Sequence, residues 1–127
     1  MGEVPDKLGF DDLPILDADW VVRDMGHDVE GYREVAAMFI EDLPVLRSRL
    51  AFSASSTSAA LVAVVHEVAN SLGVIGARRG AARVRMTERC LREDSETDLL
   101  AIERVAVEAL SSAESALQAW LAASPRL

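Results

Sequence analysis

Ala63–Ala77, AVVHEVANSLGVIGA, decides the fold. Projected at 100° per residue, the stretch divides into two faces. With His66 at zero, Leu61, Val64, Val68, Ser71, Leu72 and Ile75 fall within about 60° of the opposite pole. Val62, Ala63, Ala69, Asn70, Gly73 and Ala77 fall within about 60° of His66 itself. One face is bulky and apolar, and the other carries a lone imidazole among small residues. The pattern predicts a helix over 58–77 with His66 exposed near its middle. A lone helical histidine is most often a satisfied core residue or an ordinary surface one. The wheel argues against the core reading, because the ring points away from the apolar stripe. The small neighbours leave it standing clear, as a docking partner would require.

The flanking sequence repeats the helical period. Before this stretch, Tyr32, Val35, Ala36, Phe39, Leu43, Leu46 and Leu50 recur at spacings of three and four, the mark of an amphipathic helix. Asp28 is placed to cap it. Pro44 interrupts the stripe, removes one backbone donor and is expected to kink the helix near Ile40. Residues 52–58, rich in serine, read as a loop. Upstream, Asp17 caps a short helix over 18–25 that Gly26 stops. His27 lies in the turn that follows and reads as a solvated turn histidine. Downstream, Gly80 marks a break. A fourth helix over 81–92 carries Val84, Thr87, Glu88 and Leu91 on one side. Ser95 and Asp98 then resemble a capping box. The last helix runs to about Ala123, with Leu99, Ile102, Ala106, Ala109, Leu110, Ala113, Leu117 and Trp120 facing inward.

Four long amphipathic helices with short connections predict an all-α, antiparallel four-helix bundle with an extra short N-terminal helix. Residues 1–14, with Pro5, Gly9 and Pro14 among aspartates, read as a flexible lead-in, and 15–127 as the bundle domain. A chain of 127 residues is one domain, large enough for a proper core. Half of it is hydrophobic but only 5% is aromatic, so alanine, leucine and valine supply most of that core. The net charge of −8 argues against nucleic acid or an anionic membrane as a partner. Cys90, the single cysteine, has no internal partner and reads as a small buried hydrophobe in a reducing, cytoplasmic setting. The start of the chain lacks the basic and apolar segments of a secretory signal. The uncharged run 51–65 is too short and serine-rich to span a bilayer.

Several chemistries lack their residues. His66-Glu67-Val68-Ala69-Asn70 approaches the zinc-protease pattern His-Glu-x-x-His, but Asn70 stands where the second ligand belongs. The glycines are not followed by Lys-Ser or Lys-Thr, so no phosphate-cradling loop and no ATP site are expected. Glu-x-x-His pairs, which di-metal bundles need, do not occur. No metal or cofactor is therefore expected in the chain itself.

The histidine stretch resembles the signature of histidine phosphotransfer (HPt) domains, roughly His-x-Leu-Lys-Gly-Ser, four variable positions, then Gly-Ala. His66, the hydrophobic Val68, Ser71 and the pair Gly76-Ala77 match it. Ala69 stands in place of the basic residue and Asn70 in place of the glycine. The resemblance covers residues 15–123. It implies a phosphoryl carrier of a multistep two-component phosphorelay rather than a stand-alone enzyme. His66 would accept a phosphoryl group from one receiver-domain aspartate and pass it to another. The partner would be a response regulator or hybrid histidine kinase, Mg²⁺ would belong to that partner's receiver domain, and the carrier would be a monomer. The docking rim would take in Val62, Ala63, Glu67, Ala69, Asn70, Gly73, Val74, Ala77 and Arg78. Residues near Phe39 would border it. In the same reading Gly73 leaves room for the partner, and Gly76 allows close approach to a neighbouring helix. Six of the thirteen basic residues, Arg78, Arg79, Arg83, Arg85, Arg89 and Arg92, cluster with only Glu88 between them. They read as a solvated helix face and as a basic patch suited to an acidic receiver cleft. The alternatives are an HPt-like adaptor or inhibitor that binds a receiver or kinase without being phosphorylated, and a bundle without a signalling role.

Overall fold

The computed structural model describes residues 10–94 and 96–123. Among them are five α-helices: α1 (Ala18–Asp24), α2 (Val29–Ala54), α3 (Ser58–Ile75), α4 (Arg78–Glu93) and α5 (Leu99–Ala123), preceded by a short 3-10 turn, Phe10–Asp12. No strand occurs among the described residues. α2, α3, α4 and α5 pack as an antiparallel bundle, and α1 lies against α2 and α3.

Short polar side chains start most of these helices by accepting from orphan backbone N–H groups. Asp17 accepts from Trp20 at 3.3 Å, Asp28 from Gly31 at 2.8 Å and Thr57 from Ala60 at 3.1 Å. Asp98 accepts from Leu100 and Ala101. It is therefore the cap of α5 itself, not the inner residue of a capping box; Ser95 lies outside the described residues. α4 has no side-chain cap. The N–H of Arg79 in its first turn donates instead to the carbonyl of Pro14 at 3.0 Å.

Two boundaries differ from the sequence expectation. α2 continues to Ala54, because Ser53 and Ala54 at its end are buried and packing outweighs the weak helix propensity of a serine-rich stretch. As expected, α2 is a single helix through Pro44, which is exposed. On the water side of a helix, a carbonyl that loses its donor can turn to solvent. The break after the histidine helix falls at Gly76, not Gly80. Gly76 has φ of 85° and caps α3, with Ala77 donating to the carbonyl of Leu72 at 2.9 Å and Gly76 to that of Gly73 at 3.1 Å. This pair of bonds is a Schellman motif, and the left-handed conformation suits glycine. Gly80 lies inside the first turn of α4, where a Cβ would stand 3.2 Å from Cβ of Ala109 on α5. Its role is helix–helix contact rather than a turn.

Residues 1–9 of the expected lead-in lie outside the described residues. Residues 10–14 are held down by one side chain. Nε of Arg79 donates to the carbonyl of Leu13 at 2.9 Å, and its Nη2 donates to that of Asp11 at 2.8 Å. His27 is exposed in the turn before α2, with φ of 65°. Cys90 is free and half-buried.

The core is the sum of the four stripes. Tyr32, Leu43 and Leu50 from α2, Leu61, Leu72 and Ile75 from α3, Val84 from α4, and Ile102, Leu110 and Leu117 from α5 are all fully buried. Each large apolar side chain so placed contributes about 1.5–3 kcal/mol. α3 is long and apolar enough, by length and composition, to cross a membrane. Here seven of its residues are buried within the bundle.

Tyr32 ties three helices together. Its hydroxyl donates to the carbonyl of Ile75 at the end of α3, at 2.6 Å. Its ring meets that of Trp120 on α5 edge-on, with centroids 4.9 Å apart. Burial, with a smaller push from the negative charge of Asp17, raises the hydroxyl pKa from 10.0 to about 12. The neutral form is the one the folded state favours. Its stabilising contribution is therefore complete below the unfolded value and is lost as pH rises through the folded one. Stability is expected to fall by ~1.4 kcal/mol per pH unit between those two values. Urea unfolding across that window should show the slope, and Tyr32→Phe should remove it. An identical slope in both proteins would rule out Tyr32 as its source.

Candidate functional site

The apolar stripe of α3 fixes the helix rotation and leaves His66 outside, with its side chain 56% exposed. α4 runs back alongside, and its buried residues Ala81, Val84, Thr87 and Leu91 set its rotation in turn. Thr87 is satisfied by donating to the carbonyl of Val84 at 2.6 Å. Glu88, the next residue, therefore sits at the seam between the two helices. Its carboxylate Oε2 is 2.9 Å from Nδ1 of His66, and its side chain is only 13% exposed. The same oxygen accepts from Nη2 of Arg92, one turn further along α4, at 2.7 Å.

A carboxylate can only accept, so the proton between the two groups belongs to Nδ1. That assigns the neutral ring its tautomer: Nδ1 carries the hydrogen and Nε2 carries the lone pair. Among the described residues nothing else hydrogen-bonds the ring. The arrangement is an exposed nitrogen nucleophile whose far side is oriented by an acid, on a rigid helix. Among the described residues no three His, Cys, Asp or Glu side chains stand close enough to hold a metal ion.

On the other side of His66 the surface passes to α2. Oε2 of Glu67 meets Nη1 of Arg49 at 2.6 Å. One cleft between α2 and α3 is lined by Met38, Phe39, Ser71 and Val74, and another, which takes in Arg49, by Phe52, Ala60 and Ala63. Met38, Phe52 and Val74 are exposed, Phe52 to 74%. Phe39, near which a border is expected, is itself buried, and the neighbouring Met38 is exposed.

The expected rim residues divide into four groups. Ala63, Glu67, Asn70 and Val74 are exposed and Val62 is half-buried, so all five present atoms on or beside the face that carries His66. Arg78 is exposed but stands beyond the end of α3, 3.9 Å from Asp17. Ala69 and Ala77 are each 1% exposed and are removed from the rim. A helical wheel states where a side chain points and not what covers it. α4 is the helix most closely packed on α3, and residues of α3 that point outward on the wheel are still covered in the bundle. Gly73 is half-buried rather than open. Nη2 of Arg85 lies 3.0 Å from where its Cβ would be, so the room it leaves is occupied by α4's guanidinium.

Glu88, Arg49, Met38 and Phe52 are the site's additions to the sequence reading, whereas Arg92 belongs to the arginine patch that the sequence already shows. Glu88 had a visible signal, as the only acid in the arginine run. Arg49, Met38 and Phe52 had none without the register of α2 against α3.

Comparison of the chain with protein-family models, with curated proteins and with solved structures finds no match.

Proposed function

We propose that this protein is a phosphoryl carrier, accepting a phosphoryl group on His66 from a receiver-domain aspartate and surrendering it to another. The observation that supports this most is the Nδ1–Glu88 contact at 2.9 Å, which leaves the lone pair on Nε2 of a ring that is more than half exposed. In the transfer, Nε2 attacks phosphorus in line. The Nε2–P bond forms as the P–O bond to the aspartyl carboxylate breaks, and the aspartate leaves as a carboxylate. No proton has to move. The ring becomes a cation that keeps its Nδ1–H on Glu88, and the carboxylate stabilises that cation as the buried acid of a catalytic triad does. The reverse step loads the next receiver.

The rest of the chemistry belongs to the partner. The carrier's share is a positioned nucleophile and a surface to dock on. That surface is the exposed apolar set Met38, Phe52, Ala63 and Val74 around the Arg49–Glu67 bridge. The HPt signature at His66, Val68, Ser71 and Gly76-Ala77 points to the same reading.

The test is incubation with a panel of phosphorylated receiver domains. Acid-labile, base-stable label is expected on this chain from at least one of them. Receiver binding without label would replace the carrier with an adaptor or inhibitor. Neither binding nor label across the panel would remove the signalling role altogether.

A further inference from the structure

Glu88 gives one oxygen to two donors. Nδ1 of His66 and Nη2 of Arg92 both meet Oε2, at 2.9 and 2.7 Å, so the imidazole and the guanidinium lie within a few ångströms of each other. Their approach follows from the fold. Side chains lean toward the N-terminus of their own helix. On α3 this carries the His66 ring toward Ser58. In the antiparallel neighbour, that is the end of α4 where Arg92 stands. Arg92 is 58% exposed at its side chain, and its partner is an acid on its own helix.

α3 itself offers no cation near the ring. Within one turn on that side lie Val62, Ala63, Ala69 and Asn70, of which only Asn70 is polar. Ala69 is 1% exposed, so a lysine placed there would have to displace what covers it before reaching the ring. Arg85 directs its guanidinium to Gly73, two turns from His66.

We propose that Arg92 is the residue that binds the phosphoryl group once it is on His66. This rests on the carrier reading above. A phosphoryl group brings about two negative charges at neutral pH. A guanidinium has five N–H donors in a fixed fork. Arg92 can keep Nη2 on Glu88 while its remaining donors turn to the phosphoryl oxygens. Glu88 is then the positioning residue for both groups: it sets the tautomer of the nucleophile and holds the cation beside it. The charge that the family pattern places on the histidine's own helix is supplied here from across the helix pair.

The test needs no receiver. Phosphoramidate, a small donor, can load His66 directly, with its P–N bond breaking and ammonia leaving. The phosphoryl group's own second ionisation is then followed by ³¹P NMR as a function of pH. A guanidinium beside the dianion holds that ionisation at lower pH. Arg92→Ala is therefore expected to move its midpoint upward by about half a pH unit, about threefold in proton affinity. Arg92→Lys should restore part of the shift. Arg89→Ala, which removes the same charge one residue away from Glu88, should leave the midpoint in place. A labelled Arg92→Ala protein with an unmoved midpoint overturns the assignment to Arg92, as does an equal shift in Arg89→Ala. Failure of phosphoramidate to label His66 in the parent chain overturns the carrier reading instead, and Arg92's role with it.

Discussion

His66→Gln is expected to take up no phosphoryl label from any receiver that labels the parent, while melting within a few degrees of it. The loss is absolute because a carboxamide nitrogen has no basic lone pair to attack phosphorus, and no other group at the site replaces it. The stability cost is small because the ring is more than half exposed and packs on little. Its hydrogen bond to Glu88 contributes at most about 1 kcal/mol at such a surface, and a glutamine amide can still donate to that carboxylate. Paired measurements of label and thermal midpoint separate chemistry from folding. Persistent label on the variant would move the phosphoryl site elsewhere, with His27, exposed in the turn before α2, as the next residue to replace.

Gly76→Val should do the opposite: destabilise the bundle strongly while sparing the chemistry. The glycine has φ of 85°, and a Cβ there would fall 2.7 Å from the carbonyl oxygen of Asp17 and 2.8 Å from Cγ2 of Val21. The left-handed conformation alone costs a side chain about 1–2 kcal/mol. The contact with Asp17 is to backbone, so α1 must shift to relieve it. That shift breaks the bond from the N–H of Asp17 to the carbonyl of Gly76, now 2.8 Å. The total is about 3 kcal/mol, or roughly 10 °C in melting temperature for a chain of this size. His66 lies nearly three turns away toward the other end of α3. Below the new melting point the variant should still accept label from phosphoramidate. A variant that melts with the parent would mean that α1 moves aside freely and that this end of the bundle is not tied together as described.

What could be read from the sequence divides along a physical line. The rotation of each helix was legible, because apolar residues at helical spacing must face one another. His66 on the outside of α3 and Trp120 on the inner side of α5 both follow from that alone. The ends of helices were less legible, because local preference there competes with packing. Gly76 and Gly80 are equally plausible breaks in a bare sequence. Only the left-handed φ of 85° at the first and the approach of Ala109 to the second show which is a turn and which is a contact. The register between helices was not legible at all. The pairing of His66 with Glu88, the burial of Ala69 and the seating of Arg85 over Gly73 all depend on how far α4 slides along α3. That distance is set by the two-residue connection at Gly76-Ala77 and by interdigitating side chains, and neither has a signature in one sequence.

The clasp that Arg79 makes on residues 10–14 carries an asymmetry in mutational tolerance. Its backbone N–H, Nε and Nη2 reach the carbonyl oxygens of Pro14, Leu13 and Asp11. Every residue type presents a carbonyl, so the grip reads the path of the chain and not its side chains. Exchanges at positions 11 and 13 leave it intact, whereas one substitution at Arg79 releases two of its three attachments together. Drift should therefore be free on the held side and forbidden on the holding side.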